Sequence, residues 1–158
     1  MRPAGAQDAE AIARIYNQGI AERSSTFETE PRSAADVERW LVNADRLPVL
    51  VGAAEDDVLG WSRILAYSDR AAYSGVGEVS VYVDAAARGR GLGRALLEAL
   101  EQRARELEYW KLVGKLFTDN AASAALVERC DWRTVGLHLR HGRLDGEWRD
   151  VRLVERIL

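Results

Sequence analysis

One junction constrains this chain more than any other. Residues 78–83 form a short β-branched run that ends in Val81, Tyr82 and Val83. Residues 91–107 carry apolar side chains at Leu92, Ala95, Leu96, Ala99, Leu100 and Leu107, the period of an amphipathic helix. Between the two lie Arg88, Gly89, Arg90, Gly91, Leu92, Gly93 and Arg94. A strand therefore has to turn through three glycines directly into a helix N-terminus. The first amides of a helix have no partner within it, and the helix dipole adds partial positive charge there. Glycines let such a backbone approach an anion closely, and three arginines add charge. The pattern predicts a cradle for a phosphate or pyrophosphate. A phosphate-binding loop of the Gly-Lys-Ser/Thr type fails, because Gly93 is followed by Arg94 and Ala95. The dinucleotide fingerprint fails as well, because its third glycine would fall on Arg94 or Leu96. The pyrophosphate of coenzyme A fits the same cradle, and a loop that merely turns the chain is the bland alternative.

The rest of the chain places that junction in a single α/β domain of 158 residues, with no linker or repeat. Helices are predicted at 8–20, from Ser33 through Leu41, at 91–107 and at 121–130. Strands are predicted at 49–54, 58–65, 78–83, 110–117, 132–141 and 148–157, with a short one before the first helix. Glu55, Asp56 and Asp57 read as a hairpin turn, residues 67–75 as a polar loop, and Asp145-Gly146 as a tight turn. The strand–helix–strand unit around residues 91–107 places two strands in parallel, in a sheet whose hairpins are otherwise antiparallel.

Composition narrows the partners. Twenty-two Lys and Arg stand against 25 Asp and Glu, a net charge of -3. That balance gives no basis for nucleic-acid or membrane binding. No apolar run approaches the roughly 20 residues of a membrane helix, and residues 1–9 are too polar for a signal peptide. Cys130 is the single cysteine, so no intrachain disulfide forms and a reducing cytoplasm is expected. Beside Leu126 on a helix, Cys130 reads as core, not nucleophile. His138 and His141 lie three apart in a strand pattern, which would put them on opposite faces; no metal site is expected.

At the glycine-rich junction the sequence resembles the GNAT superfamily of N-acetyltransferases, through Arg88, Gly91 and Gly93. The predicted element order resembles that fold along nearly the whole chain. A narrower resemblance lies in Ile15-Tyr16-Asn17, Thr26-Phe27-Glu28-Thr29-Glu30-Pro31, Glu78-x-Ser80-Val81-Tyr82-Val83 and Asn120-Ala121-Ala122-Ser123. These look like phosphinothricin-type acetyltransferases, and the tail from His141 to Val151 looks closer to arsinothricin N-acetyltransferases of that group. The resemblance implies a mixed, mostly antiparallel sheet flanked by helices, with acetyl-CoA as cosubstrate. It implies that Val81, Tyr82 and Val83 offer backbone groups to the pantetheine arm, and that residues 88–94 wrap the pyrophosphate. It places Asn120 near the cofactor, where it also suits the N-cap of the next helix. The relatives are commonly homodimers, and the same is expected here. The implied acceptor is a small glutamate-like amino acid. Another amine, such as a methionine sulfoximine-type amino acid or a protein N-terminus, is the alternative enzyme reading, and a non-catalytic acetyl-CoA-binding module is the alternative class.

Acetyl transfer requires a deprotonated amine and donors for a developing oxyanion. Glu78, at the start of the strand leading to the cradle, occupies the position of the family's general base. Arg70 and Tyr73, in the loop before it, align with an Arg-x-x-Tyr of the relatives and are expected to hold an anionic acceptor, with Phe27 walling the pocket. Val127 stands where phosphinothricin-type relatives often have histidine, so no general acid is named. A thiolate leaves unaided, since its conjugate acid has a pKa of about 8.5.

Overall fold

The computed structural model describes residues 1–55 and 57–158. After β1 (Arg2–Pro3) come α1 (Ala9–Glu22) and α2 (Ala34–Leu41). The hairpin strands β2 (Val49–Ala54) and β3 (Asp57–Ala66) follow, then β4 (Val76–Val83), antiparallel to β3. α3 (Leu92–Glu106) crosses over to β5 (Lys111–Phe117), which pairs in parallel with β4. α4 (Ala121–Arg129) leads to the hairpin of β6 (Arg133–Leu144) and β7 (Glu147–Ile157). The sheet order is β1-β2-β3-β4-β5-β7-β6, mixed and mostly antiparallel as expected. Of the turn expected at Glu55, Asp56 and Asp57, Asp56 lies outside the described residues.

The boundaries have local causes. Ser33 caps α2 reciprocally with Asp36: its hydroxyl accepts from the Asp36 amide at 3.2 Å, and its amide donates to the Asp36 carboxylate at 2.7 Å. Arg23, in the left-handed region, ends α1. Asp145 and Gly146 both have positive φ, 50° and 84°, and join β6 to β7 in a two-residue turn. That conformation keeps the right-handed twist of the flanking strands.

The period-2 alternation of β2 and β3 divides the core between the two faces of the sheet. Val49, Val51 and Trp61 meet Ile12, Ile15, Tyr16 and Ile20 of α1 and Val37 of α2. Leu50 and Ile64 meet Leu97, Leu100 and Ala104 of α3 on the other face, with Leu112, Trp132 and Val154. Each fully buried side chain of this size contributes roughly 1.5–3 kcal/mol. Cys130 is buried in the second cluster, and desolvation raises its thiol pKa, in keeping with a core role.

One expectation is overturned. His138 and His141 do not lie on opposite faces: their rings are 4.7 Å apart, edge to face. Between His138↔Val151 and Gly142↔Arg149 the ladder carries extra residues on β6. Arg140, with φ 49°, sits in this bulge, and its amide donates to the Asp150 carboxylate at 2.7 Å. A bulge breaks the two-residue alternation, so spacing along the chain no longer predicts the face.

Candidate active site

The site begins where the sheet comes apart. β4 stays paired with β3 from Gly77↔Ala66 to Val83↔Gly60. Its ladder to β5 covers only Val76, Gly77 and Glu78. Beyond Glu78 the two parallel strands diverge and a cavity of about 600 Å³ opens between them. The β5-facing backbone edge of Val79, Ser80, Val81, Tyr82 and Val83 is therefore free of strand pairing. Leu97, Leu126, Val127 and Trp132 line the cavity on the α3 side.

At one end of this edge stands the glycine-rich junction. Asp84 is buried and closes the turn Ala85–Ala87, its carboxylate accepting from the Ala86 amide at 2.9 Å, from Gln18 at 3.3 Å and from Arg14. These bonds, that to Arg14 foremost, hold its pKa below the usual carboxylate value. Arg88 donates to the Val83 carbonyl at 3.1 Å and pairs with Glu22 at 2.9 Å. Gly89 and Gly91 have φ of 77° and 83°, a region that L side chains avoid. Gly91 is the N-cap of α3, so no side chain caps this helix, and no acid lies in its first turn. Leu92 folds its side chain over Gly52 and Gly60. Arg94 pairs with Glu98 at 2.7 Å, and Arg90 is exposed. Gly93 differs from the other two glycines. Its φ is ordinary, and a Cβ there would lie 3.6 Å from Leu126, normal van der Waals contact. The fold does not require glycine at 93; an approaching ligand would.

Asn120 lines the cavity from the α4 side. Its carboxamide oxygen accepts from the Ser123 amide and its Nδ2 donates to the Ser24 carbonyl, each at 2.9 Å. The capping role expected from sequence is present, together with a tether to the loop after α1.

The other half of the cavity is set by strand register. Leu65↔Glu78, Arg63↔Ser80 and Trp61↔Tyr82 are directly opposed, so all six side chains share the face covered by α1 and α2. Glu78 is partly exposed, and its Oε2 accepts from Lys115 Nζ of β5 at 2.7 Å. Tyr82 turns into the core, stacked on Trp61 with centroids 4.8 Å apart, and its hydroxyl donates to the Ser25 carbonyl. Burial pushes its phenol well above the ordinary pKa, so Tyr82 is a neutral donor. Phe27 lines the cavity edge-on to Phe117 at 4.7 Å. A Cβ at Gly142 would lie 2.7 Å from the Phe27 ring, so the glycine leaves room for it.

Arg70 and Tyr73 are not brought to this cavity. Both are exposed around the turn Ala71–Tyr73, and Tyr73 packs edge-on against Tyr67 at 5.7 Å. Among the cavity residues that the sequence did not assign to the site are Lys115, Arg63 and His141. A signal existed for Arg63, since strict alternation from buried Trp61 puts it on the inner face. None existed for His141, whose position depends on the β6 bulge.

The fold, the splayed parallel pair and the uncapped, glycine-bounded helix define an acetyltransferase of one family. The family model for the acetyltransferase (GNAT) family matches residues 13–132, and the chain belongs to that family. Within it, the chain falls with the phosphinothricin acetyltransferase group. It is 31% identical to a phosphinothricin N-acetyltransferase of Streptomyces coelicolor, over 100% of this chain and 95% of that one. It is also 31% identical to an L-methionine sulfoximine/L-methionine sulfone acetyltransferase of Pseudomonas aeruginosa, over 98% and 92%. A solved phosphinothricin acetyltransferase from Sinorhizobium meliloti, in complex with acetyl-CoA, superposes with a TM-score of 0.91 at 29% identity, covering 99% of this chain and 86% of that one.

Proposed function

We propose that this enzyme transfers the acetyl group of acetyl-CoA to the amine of a small glutamate-like amino acid of the phosphinothricin or arsinothricin type, in resistance or detoxification, with Glu78 as general base. One observation carries the reading: a carboxylate stands where β4 and β5 part, with a free backbone edge and an anion cradle on one side and a pocket of side chains on the other. The cradle suits coenzyme A. The uncapped α3 N-terminus presents unpaired amides, no carboxylate opposes an anion in its first turn, and the space over Gly89 and Gly91 is open. Gly89, Arg90, Gly91, Leu92, Gly93 and Arg94 would hold the pyrophosphate, with Arg88 fixing the turn. Val81, Tyr82 and Val83 would bond the pantetheine arm through their backbone, and Asn120 would lie beside it. Acetyl-CoA supplies the thioester carbonyl that the amine attacks.

The chain's own groups then divide the work. Glu78 accepts the proton that the ammonium must lose, through its carboxylate or one water. Lys115 holds that carboxylate in one orientation. Backbone N–H groups on the free edge of β4 face the charge that develops on the carbonyl oxygen. Phe27 and Phe117 exclude water from the acceptor side.

A second acceptor reading is a methionine sulfoximine-type amino acid, supported by the Pseudomonas aeruginosa relative at equal identity. A homodimer belongs to the same proposal. It is supported by edge strand β6, which leaves Val135, Leu137 and Leu139 exposed. We place the enzyme in the cytoplasm, which suits its single unpaired cysteine. The deciding experiment is an acceptor screen with acetyl-CoA, reading free thiol. Turnover of phosphinothricin, arsinothricin or methionine sulfoximine is expected; turnover of none, with activity on a peptide N-terminus, overturns the amino-acid reading.

A further inference from the structure

Arg63 is a cationic side chain of the cavity that this mechanism leaves without a role. It lies on β3 directly opposite Ser80 and diagonal to Glu78, on the same face of the sheet. Such diagonal neighbours lie about 7–8 Å apart at the backbone. Its guanidinium is spread over the Trp40 ring of α2, 3.6 Å from the centroid, with Trp61 at 5.9 Å. The head group therefore lies against α2, on the same face of the sheet as Glu78. Its Nε is buried with no hydrogen-bond partner. Desolvation pulls the guanidinium below its ordinary pKa, an effect that Tyr16, Tyr82 and Glu28 only partly offset.

The neighbouring charges are already matched. Arg32 pairs with Glu28 at 2.6 Å, and Arg39 pairs with Asp36. Among the described residues Arg63 forms no ion pair. A second cavity of about 230 Å³ lies against α2, lined by these five charged residues with Tyr16 and Trp40. Tyr16, Glu28 and Arg63 line both cavities, so Arg63 stands at their junction. Three arginines against two carboxylates leave this end with one net positive charge. Arginine presents a planar fork matched to an oxyanion, and stacking on indole fixes the plane of that fork before a ligand arrives.

We propose that Arg63 is the specificity-determining residue of the acceptor site: its guanidinium receives the anionic group at the far end of the acceptor while the amine lies at Glu78. This rests on the amino-acid acceptor reading above, and it gives to Arg63 the role that sequence alone assigned to Arg70. The ligand chemistry is a tetrahedral or planar oxyanion, such as phosphinate, arsinate or carboxylate, carried on an α-amino acid. Aromatic rings around the guanidinium exclude water, and an ionic contact there outweighs one at the exposed rim.

Steady-state kinetics on three acceptors test this: phosphinothricin and glutamate carry a far-end anion, and methionine sulfoximine does not. For Arg63→Ala, KM for the two anionic acceptors is expected to rise about ten- to a hundredfold, the loss of a charge-assisted hydrogen bond. KM for methionine sulfoximine and affinity for acetyl-CoA should change less than twofold. Arg63→Lys should recover only part of the loss, and Arg70→Ala should match the wild type. An unchanged KM for phosphinothricin in Arg63→Ala overturns the proposal, and so does an equal rise for all three acceptors. Arg63→Met retains an unbranched stem against Trp40 and serves if the alanine variant is poorly folded. Calorimetry of phosphinothricin binding separates the two readings. A wild type that acetylates none of the three defeats the acceptor reading. Binding that needs Arg63 supports the anion site even then, and binding indifferent to Arg63 defeats it.

Discussion

The two halves of the proposed site are built in different ways. The cofactor half is backbone: two glycines with positive φ, an uncapped helix start and a strand edge without a partner, all between Val79 and Arg94. The acceptor half is side chains: Phe27 from a loop, Arg63 from β3, Glu78 from β4, Lys115 from β5 and His141 from β6. A backbone site recognises what every acyl-CoA carries, a pyrophosphate and an amide-rich arm. A side-chain site can be changed residue by residue without disturbing the first. The division explains how one fold retains a cosubstrate while acceptors differ among relatives.

The strongest way to break this comparison is to mutate the residue at the seam. Glu78→Gln keeps shape and removes the base, and kcat is expected to fall about 10²–10⁴-fold with acetyl-CoA affinity unchanged. Near-normal turnover at neutral pH would assign the proton elsewhere, and a parallel loss of cofactor affinity would merge the halves. Gly93→Val addresses the backbone half alone. Because a Cβ at 93 meets only ordinary contacts, the protein should stay folded while acetyl-CoA binding weakens tenfold or more. Unchanged affinity by calorimetry would remove pyrophosphate from this loop.

Asn120→Ala sharpens the boundary between holding the fold and holding the ligand. Loss of its cap costs about 1 kcal/mol, which lowers Tm by about 2–4 °C in a chain of this size. Weaker acetyl-CoA binding is expected as well; a lower Tm at constant affinity would restrict Asn120 to capping. The smallest effect concerns Asp84, which ties the loop before α3 to Arg14 of α1. Its folded pKa is depressed, so its stabilisation is fully present above the ordinary carboxylate range and is lost as pH falls below about 4. Asp84→Asn should lower stability in urea at pH 7, and the gap should narrow at pH 3. An equal gap at both pH values would mean that the charge contributes nothing.

The same division governs what could be read in advance. The order of elements, the junction at Gly89, Gly91 and Gly93, the Ser33 cap and the Asp145-Gly146 turn follow from neighbours along the chain, and each appears within three residues of its expected place. Glu78 and Phe27 were placed through family resemblance, and both line the cavity. Arg70 and Tyr73 came from the same resemblance, but their loop turns outward. Lys115 and His141 had no local signature.

Sequence by itself determined the parts whose physics is local: helical period, capping, positive φ and the free amides of one helix. Tertiary structure alone decided which side chains meet. Arg63 reaches the acceptor cavity because β3 pairs with β4 in one register, and a slip of one residue would turn it to the α3 face. Lys115 meets Glu78 because β4 and β5 part just there, and His141 reaches the cavity because β6 bulges between His138 and Gly142. These are relations between strands distant in the chain, fixed by burying both faces of the sheet at once.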